Sequence, residues 1–134
     1  MRPSLRSGIL CSMDGSPTLA AKKVLIVEDN FLIAQDLKAV LRAAGCAVCG
    51  TAPTSAIALA LLRDEMPDGV LLDVDLHDYA SPVTQELVSR GVPFVLITGY
   101  EREQLPEALR GRPCLSKPYS RETLVSLVSR TFAH

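Results

Sequence analysis

From Lys22 onward the chain repeats one unit, a short continuous apolar run followed by a stretch with helical spacing. KVLIV (23–27), GVLLD (69–73) and PFVLIT (93–98) show no polar/apolar alternation, which marks strands covered on both faces. After the first run, Ile33, Leu37, Val40, Leu41 and Ala44 recur at helical spacing, with Asn30 as N-cap and Gly45 as stop. CAVCG (46–50) makes a second strand, and residues 54–65 an Ala/Leu-rich helix opened by Thr54 or Ser55. Ser81-Pro82 starts another helix, cap followed by proline in the first turn, and Gly91 stops it. Residues 101–110 are weakly helical because Pro106 interrupts them. PCLS (113–116) is a short fifth strand, and Ser120 caps a last helix carrying Leu124, Leu127, Val128 and Thr131. Five strands alternating with five helices imply right-handed crossovers, hence an α/β fold whose parallel sheet is covered on both faces.

A chain of 134 residues, 48% apolar and 22% charged, holds one ordinary domain plus a short tail. Residues 1–21 carry two early arginines and no sustained apolar core, so they read as a disordered N-terminal extension rather than a signal peptide. Residues 22–134 form the domain, and Met13 offers an alternative start. The formal net charge of −1 and the lack of a Lys/Arg cluster argue against nucleic-acid binding. No apolar run is long enough to cross a bilayer, and a cytoplasmic protein is expected.

GCAVCG (45–50) contains a C-x-x-C, but Cys46 and Cys49 fall on a strand rather than at a helix N-terminus. Three positions apart on a strand, the two thiols point to opposite faces. A zinc site would need a second ligand pair, and only Cys114, His77 and His134 remain, widely scattered. Buried apolar cysteines in a reducing compartment are the expected reading.

Four strands end in reactive polar groups: Glu28-Asp29, Asp73, Thr98 and Lys117. In a parallel sheet all carboxyl ends share one edge, where ligands bind. Three acids, a hydroxyl and an ammonium are therefore expected around one hollow. Two carboxylates about 4 Å apart repel by roughly 4 kcal/mol at an effective dielectric near 20. A hard divalent ion, Mg²⁺ with Mn²⁺ as substitute, relieves that repulsion. Asp73, on the central strand, is the natural nucleophile for a phosphoryl group.

Two families use an aspartate in this way. DVDL (73–76) resembles the first motif, Asp-x-Asp-x-Thr, of the haloacid-dehalogenase-like phosphatases. That comparison fails because position 77 is His, because only Glu122 follows Lys117 as an acid, and because two strand-helix units precede the motif. The order Glu28-Asp29, Asp73, Thr98, Lys117-Pro118 instead resembles the receiver domain of bacterial two-component response regulators, over residues 23 to about 132. The resemblance implies a flavodoxin-like strand order 2-1-3-4-5. It implies Mg²⁺ held by Glu28, Asp29, Asp73 and the backbone carbonyl of Asp75. Asp73 would accept a phosphoryl group from a histidine kinase or phosphotransfer protein, with Thr98 and Lys117 on the phosphate. A cis bond before Pro118 is implied as well.

Cys114 stands where receivers usually carry an aromatic switch residue, and Thr98-Gly99-Tyr100 resembles a subgroup of single-domain receivers. Tyr100 is the candidate for the missing aromatic readout. His77 and His134 are read as exposed and non-functional, while Asp75 and Asp78 would tune water access to the phosphorylated state. With the sequence ending two residues after Phe132, a stand-alone switch is expected, not an enzyme, signalling through contact with a downstream protein still to be identified. A receiver-like module that docks without phosphorylation is the remaining alternative.

Overall fold

The computed structural model describes residues 19–74, 81–99, 105 and 107–132. The elements run β1 (Lys23–Val27), α1 (Phe31–Ala43), β2 (Ala47–Ala52), α2 (Ser55–Asp64), β3 (Gly69–Asp73), α3 (Ser81–Arg90), β4 (Phe94–Thr98), a 3-10 turn (Glu107–Leu109), β5 (Cys114–Ser116) and α4 (Arg121–Phe132). The strands form one sheet in the order β2-β1-β3-β4-β5, every neighbouring pair parallel. This is the doubly wound, flavodoxin-like order that the receiver resemblance implied.

Strand periodicity divides the core in two. Val24, Ile26, Leu71, Val95 and Ile97 point to one face, where Leu37 and Leu41 of α1 and Leu124, Val128 and Phe132 of α4 cover them. Leu25, Val27, Val70, Leu72, Phe94 and Leu96 point to the other, beneath Ala58 and Leu62 of α2 and Val83 and Leu87 of α3. All five residues of β3 and of β4 are buried, as their unbroken apolar runs predict. Each fully buried Leu, Ile or Val contributes about 1.5–3 kcal/mol of apolar transfer, so the layered core outweighs any single polar contact.

The expected caps form. Asn30 Oδ1 accepts the Ile33 N–H at 3.1 Å, Thr54 Oγ1 the Ile57 N–H at 3.2 Å, and Ser120 Oγ the Thr123 N–H at 3.0 Å. Cys46 packs into the α1/α4 core and Cys49 against the α2/α3 core, so the thiols face away from each other. Burial pushes both thiols above their ordinary pKa, which keeps them protonated and unreactive.

Two expectations need correction. The second strand is Ala47–Ala52 rather than 46–50, and its pairing slips between Val24 and Leu25, leaving Cys49 opposite no β1 residue. A fifth α-helix was expected between β4 and β5, yet the described residues there form only the 3-10 turn. Residues 101–104 and 106 of the expected helix lie outside the described residues. Contacts also reach upstream of Lys22. Leu19 is buried in the α1/α4 core, and the Ala21 N–H donates to the Gly45 carbonyl at 2.9 Å. Among the described residues no helix is long and apolar enough to cross a membrane.

Candidate functional site at the carboxyl edge of the sheet

Strand register sets the site. Val27 of β1 lies beside Leu72 of β3, so the next residues, Glu28 and Asp73, stand level on adjacent central strands. Asp73 pairs with Ile97 of β4, which places Thr98 one step beyond, and Thr98 pairs with Ser116, the residue before Lys117. The Lys117 N–H donates to the Thr98 carbonyl at 2.8 Å and fixes the end of β5 against β4. The apolar cores therefore hold these polar groups at one edge, with little freedom to drift apart.

One carboxylate oxygen from each of Glu28, Asp29 and Asp73 lies within 4.8 Å of the others. The Lys117 ammonium donates to Asp73 Oδ2 at 3.4 Å. Glu28, Asp73 and Thr98 are buried, and Lys117 is half-buried. Glu28 Oε2 accepts the Asn30 N–H at 3.0 Å, whereas Glu28 Oε1 is buried with no hydrogen-bond partner among the described residues. Burial, and then the facing Asp73 carboxylate, push the Glu28 carboxyl up to about 8, and the Asn30 N–H offsets only part of that.

This donor set suits a hard divalent cation. Three carboxylates face one ammonium, and an orphaned buried oxygen is a group that a cation would satisfy. The same arrangement presents Asp73 as a nucleophile beside a cation that can neutralise an incoming oxyanion.

The structure brings Glu28, Asp29, Asp73, Thr98 and Lys117 to one edge. The Lys117–Pro118 peptide bond is cis. Cys114 is half-buried and packs against the α2/α3 core. Asp75 and Tyr100 lie outside the described residues, as do His77, Asp78 and His134.

Beside the hollow lies a feature that sequence reasoning passed over. Phe31 and Leu32, at the start of α1, are 70% and 77% exposed. Leu32, Ile33, Asp36, Lys117, Pro118 and Tyr119 line a neighbouring cleft of about 420 Å³. The available signal was that Phe31 and Leu32 fall off the apolar stripe of α1, whose buried members are Ala34, Leu37, Val40 and Leu41.

The response regulator receiver domain family matches residues 24–129. The chain is 30% identical over 112 residues to the transcriptional regulatory protein PdtaR of Mycobacterium tuberculosis, covering 80% of this chain and 55% of that protein. It is 31% identical over 116 residues to the phyllosphere-induced regulator PhyR of Methylorubrum extorquens, covering 82% and 43%. The chain thus spans about half the length of the curated relatives it matches. The solution structure of SdrG from Sphingomonas melonis superposes with a TM-score of 0.71 at 34% identity, covering 81% of this chain and 93% of that one. The acid edge, the 2-1-3-4-5 sheet and these matches agree: the chain belongs to the response regulator receiver domain family, the regulators of two-component signalling.

Proposed function

We propose that the chain is a phosphoacceptor switch, modified at Asp73 by a histidine kinase or a histidine phosphotransfer protein. The observation that carries this reading is the convergence of Glu28, Asp29 and Asp73 within 4.8 Å, with Lys117 on the Asp73 carboxylate. Glu28, Asp29 and Asp73 would hold Mg²⁺ or Mn²⁺, with the backbone carbonyl of Asp75 as a further ligand. When bound, the cation supplies Lewis-acid neutralisation of phosphoryl oxygens.

The chain's own groups do the rest. An Asp73 carboxylate oxygen attacks the phosphorus, the phosphorus–nitrogen bond of the phosphohistidine breaks, and the imidazole nitrogen leaves with the electron pair. Lys117, which faces Asp73 in the unmodified protein, pairs with the added phosphoryl oxygens, and the Thr98 hydroxyl donates to one of them. Modification adds nearly two negative charges beside Glu28 and Asp29, which biases nearby segments and so the surface a partner meets. Tyr100 and Cys114 are the proposed readout positions. The exposed Phe31-Leu32 pair beside the hollow favours a protein as donor, since apolar side chains there gain only by being covered. The reading makes residues 22–134 a receiver unit of a cytoplasmic, non-catalytic regulator acting on a downstream protein.

Phosphorus NMR with phosphoramidate and Mg²⁺ tests this. A persistent acyl-phosphate resonance, absent in Asp73→Asn, is expected. Continuous release of inorganic phosphate without that resonance would restore the phosphatase, and neither signal would leave a docking module that works unphosphorylated.

A further inference from the structure

On the face opposite α1 and α4, a second recess lies between α3 and the 3-10 turn. Its volume is about 350 Å³, within the range of small-molecule sites. Val88, Phe94 and Leu109 supply apolar walls, Thr84 and Gln85 polar ones, and Arg112 is the one charged residue among the described lining residues. The buried Phe94 ring forms its floor, and Val88 and Leu109 stand at its rim.

Arg112 is the informative residue. Gly111 adopts φ +86, a left-handed conformation that residues with a side chain rarely take, and the chain reverses there directly before Arg112. The Arg112 guanidinium lies over the Phe94 ring, 5.2 Å from its centroid. It forms no ion pair with any described residue. Stacking therefore orders the planar cation beside an apolar wall while its N–H edges remain available, the arrangement that receives a carboxylate in bidentate fashion. Phe94 begins β4 and Thr98 ends it, so the recess lies about 13 Å along the strand from the acid hollow.

We propose that this recess is a binding site for a compact apolar carboxylate, an aryl- or branched-alkyl acid. Its carboxylate pairs with Arg112 and its apolar part packs on Val88, Phe94 and Leu109. Nothing in this site depends on Asp73, so it stands or falls separately from the phosphoacceptor reading.

The test is a titration of the full ¹⁵N-labelled chain with 3-phenylpropanoate and with its neutral amide. Saturable shifts are expected at amides of residues 84–94 and 107–114, with none at 28–30 or 73–74. The amide should bind at least about tenfold more weakly, since a hydrogen bond to a charged group is worth roughly ten- to a hundredfold in affinity. Arg112→Gln should remove the preference for the acid while leaving the rest of the spectrum in place. Val88→Gln, at an exposed rim position, should weaken acid and amide alike. Equal affinity for acid and amide, insensitivity to Arg112→Gln, shifts centred on Lys117, or no saturable shift would each overturn the proposal.

Discussion

Replacing Glu28 by glutamine keeps the side chain's length and its acceptor for the Asn30 N–H, while removing one ionisable group from the hollow. The group ionises near 4.5 in an unfolded chain and near 8 in the folded, cation-free protein. Below pH 4.5 both states carry the proton, and the buried carboxyl adds no penalty. As pH rises towards 8 the unfolded chain gives up its proton and the folded chain keeps it, so stability falls across that window and levels off above it. At 1.36 kcal/mol per pKa unit the displacement caps the loss at about 5 kcal/mol. Water at the mouth of the hollow screens the carboxylates, so about 2 kcal/mol is the expected size. Glu28→Gln lacks that loss and can donate an amide N–H towards Asp73. Followed by circular dichroism in chelator, the variant should melt about 8 °C above wild type at pH 8 and close to it near pH 5. Mg²⁺ should raise the wild type and flatten its pH dependence, and raise the variant less. Parallel curves for the two proteins from about pH 5 to 9 would refute the electrostatic account of the hollow.

Other consequences follow from single contacts. A Cβ at Gly69 would lie 2.5 Å from the Phe132 ring, so Gly69→Ala should lower stability in chemical denaturation by about 1–3 kcal/mol. Asn30→Ala removes the α1 cap and should cost about 1 kcal/mol in the same assay. Replacing Phe31 and Leu32 together by serine should leave the unfolding midpoint almost unchanged, because both are exposed. Phosphoryl transfer from a protein donor should fall at least about tenfold in that variant, with labelling by acetyl phosphate unaltered.

Much of this was legible in the sequence because it rests on periodicity and order along the chain. Unbroken apolar runs announced β3 and β4, and polar residues at strand ends announced Glu28, Asp29, Asp73, Thr98 and Lys117 as neighbours. The ends of β2 were not legible, since AVCGTA carries little strand preference and is held by pairing with β1. The stretch 101–110 was read as weakly helical, interrupted at Pro106, and its described part, Glu107–Leu109, is a 3-10 turn. Side-chain facts, such as the unpartnered Glu28 Oε1 and the stacking of Arg112 on Phe94, depend on tertiary approach and leave no trace in spacing.

The central claim is that four strand ends build one cation-dependent hollow. Titrating the ¹⁵N-labelled chain with Mg²⁺ tests it most directly. Saturable shifts at the amides of 28–30, 73–74, 98–99 and 117, all following one binding curve and all lost in Asp73→Asn, are the predicted result. Shifts scattered over exposed acids elsewhere, or separate curves for Glu28 and Asp73, would contradict it.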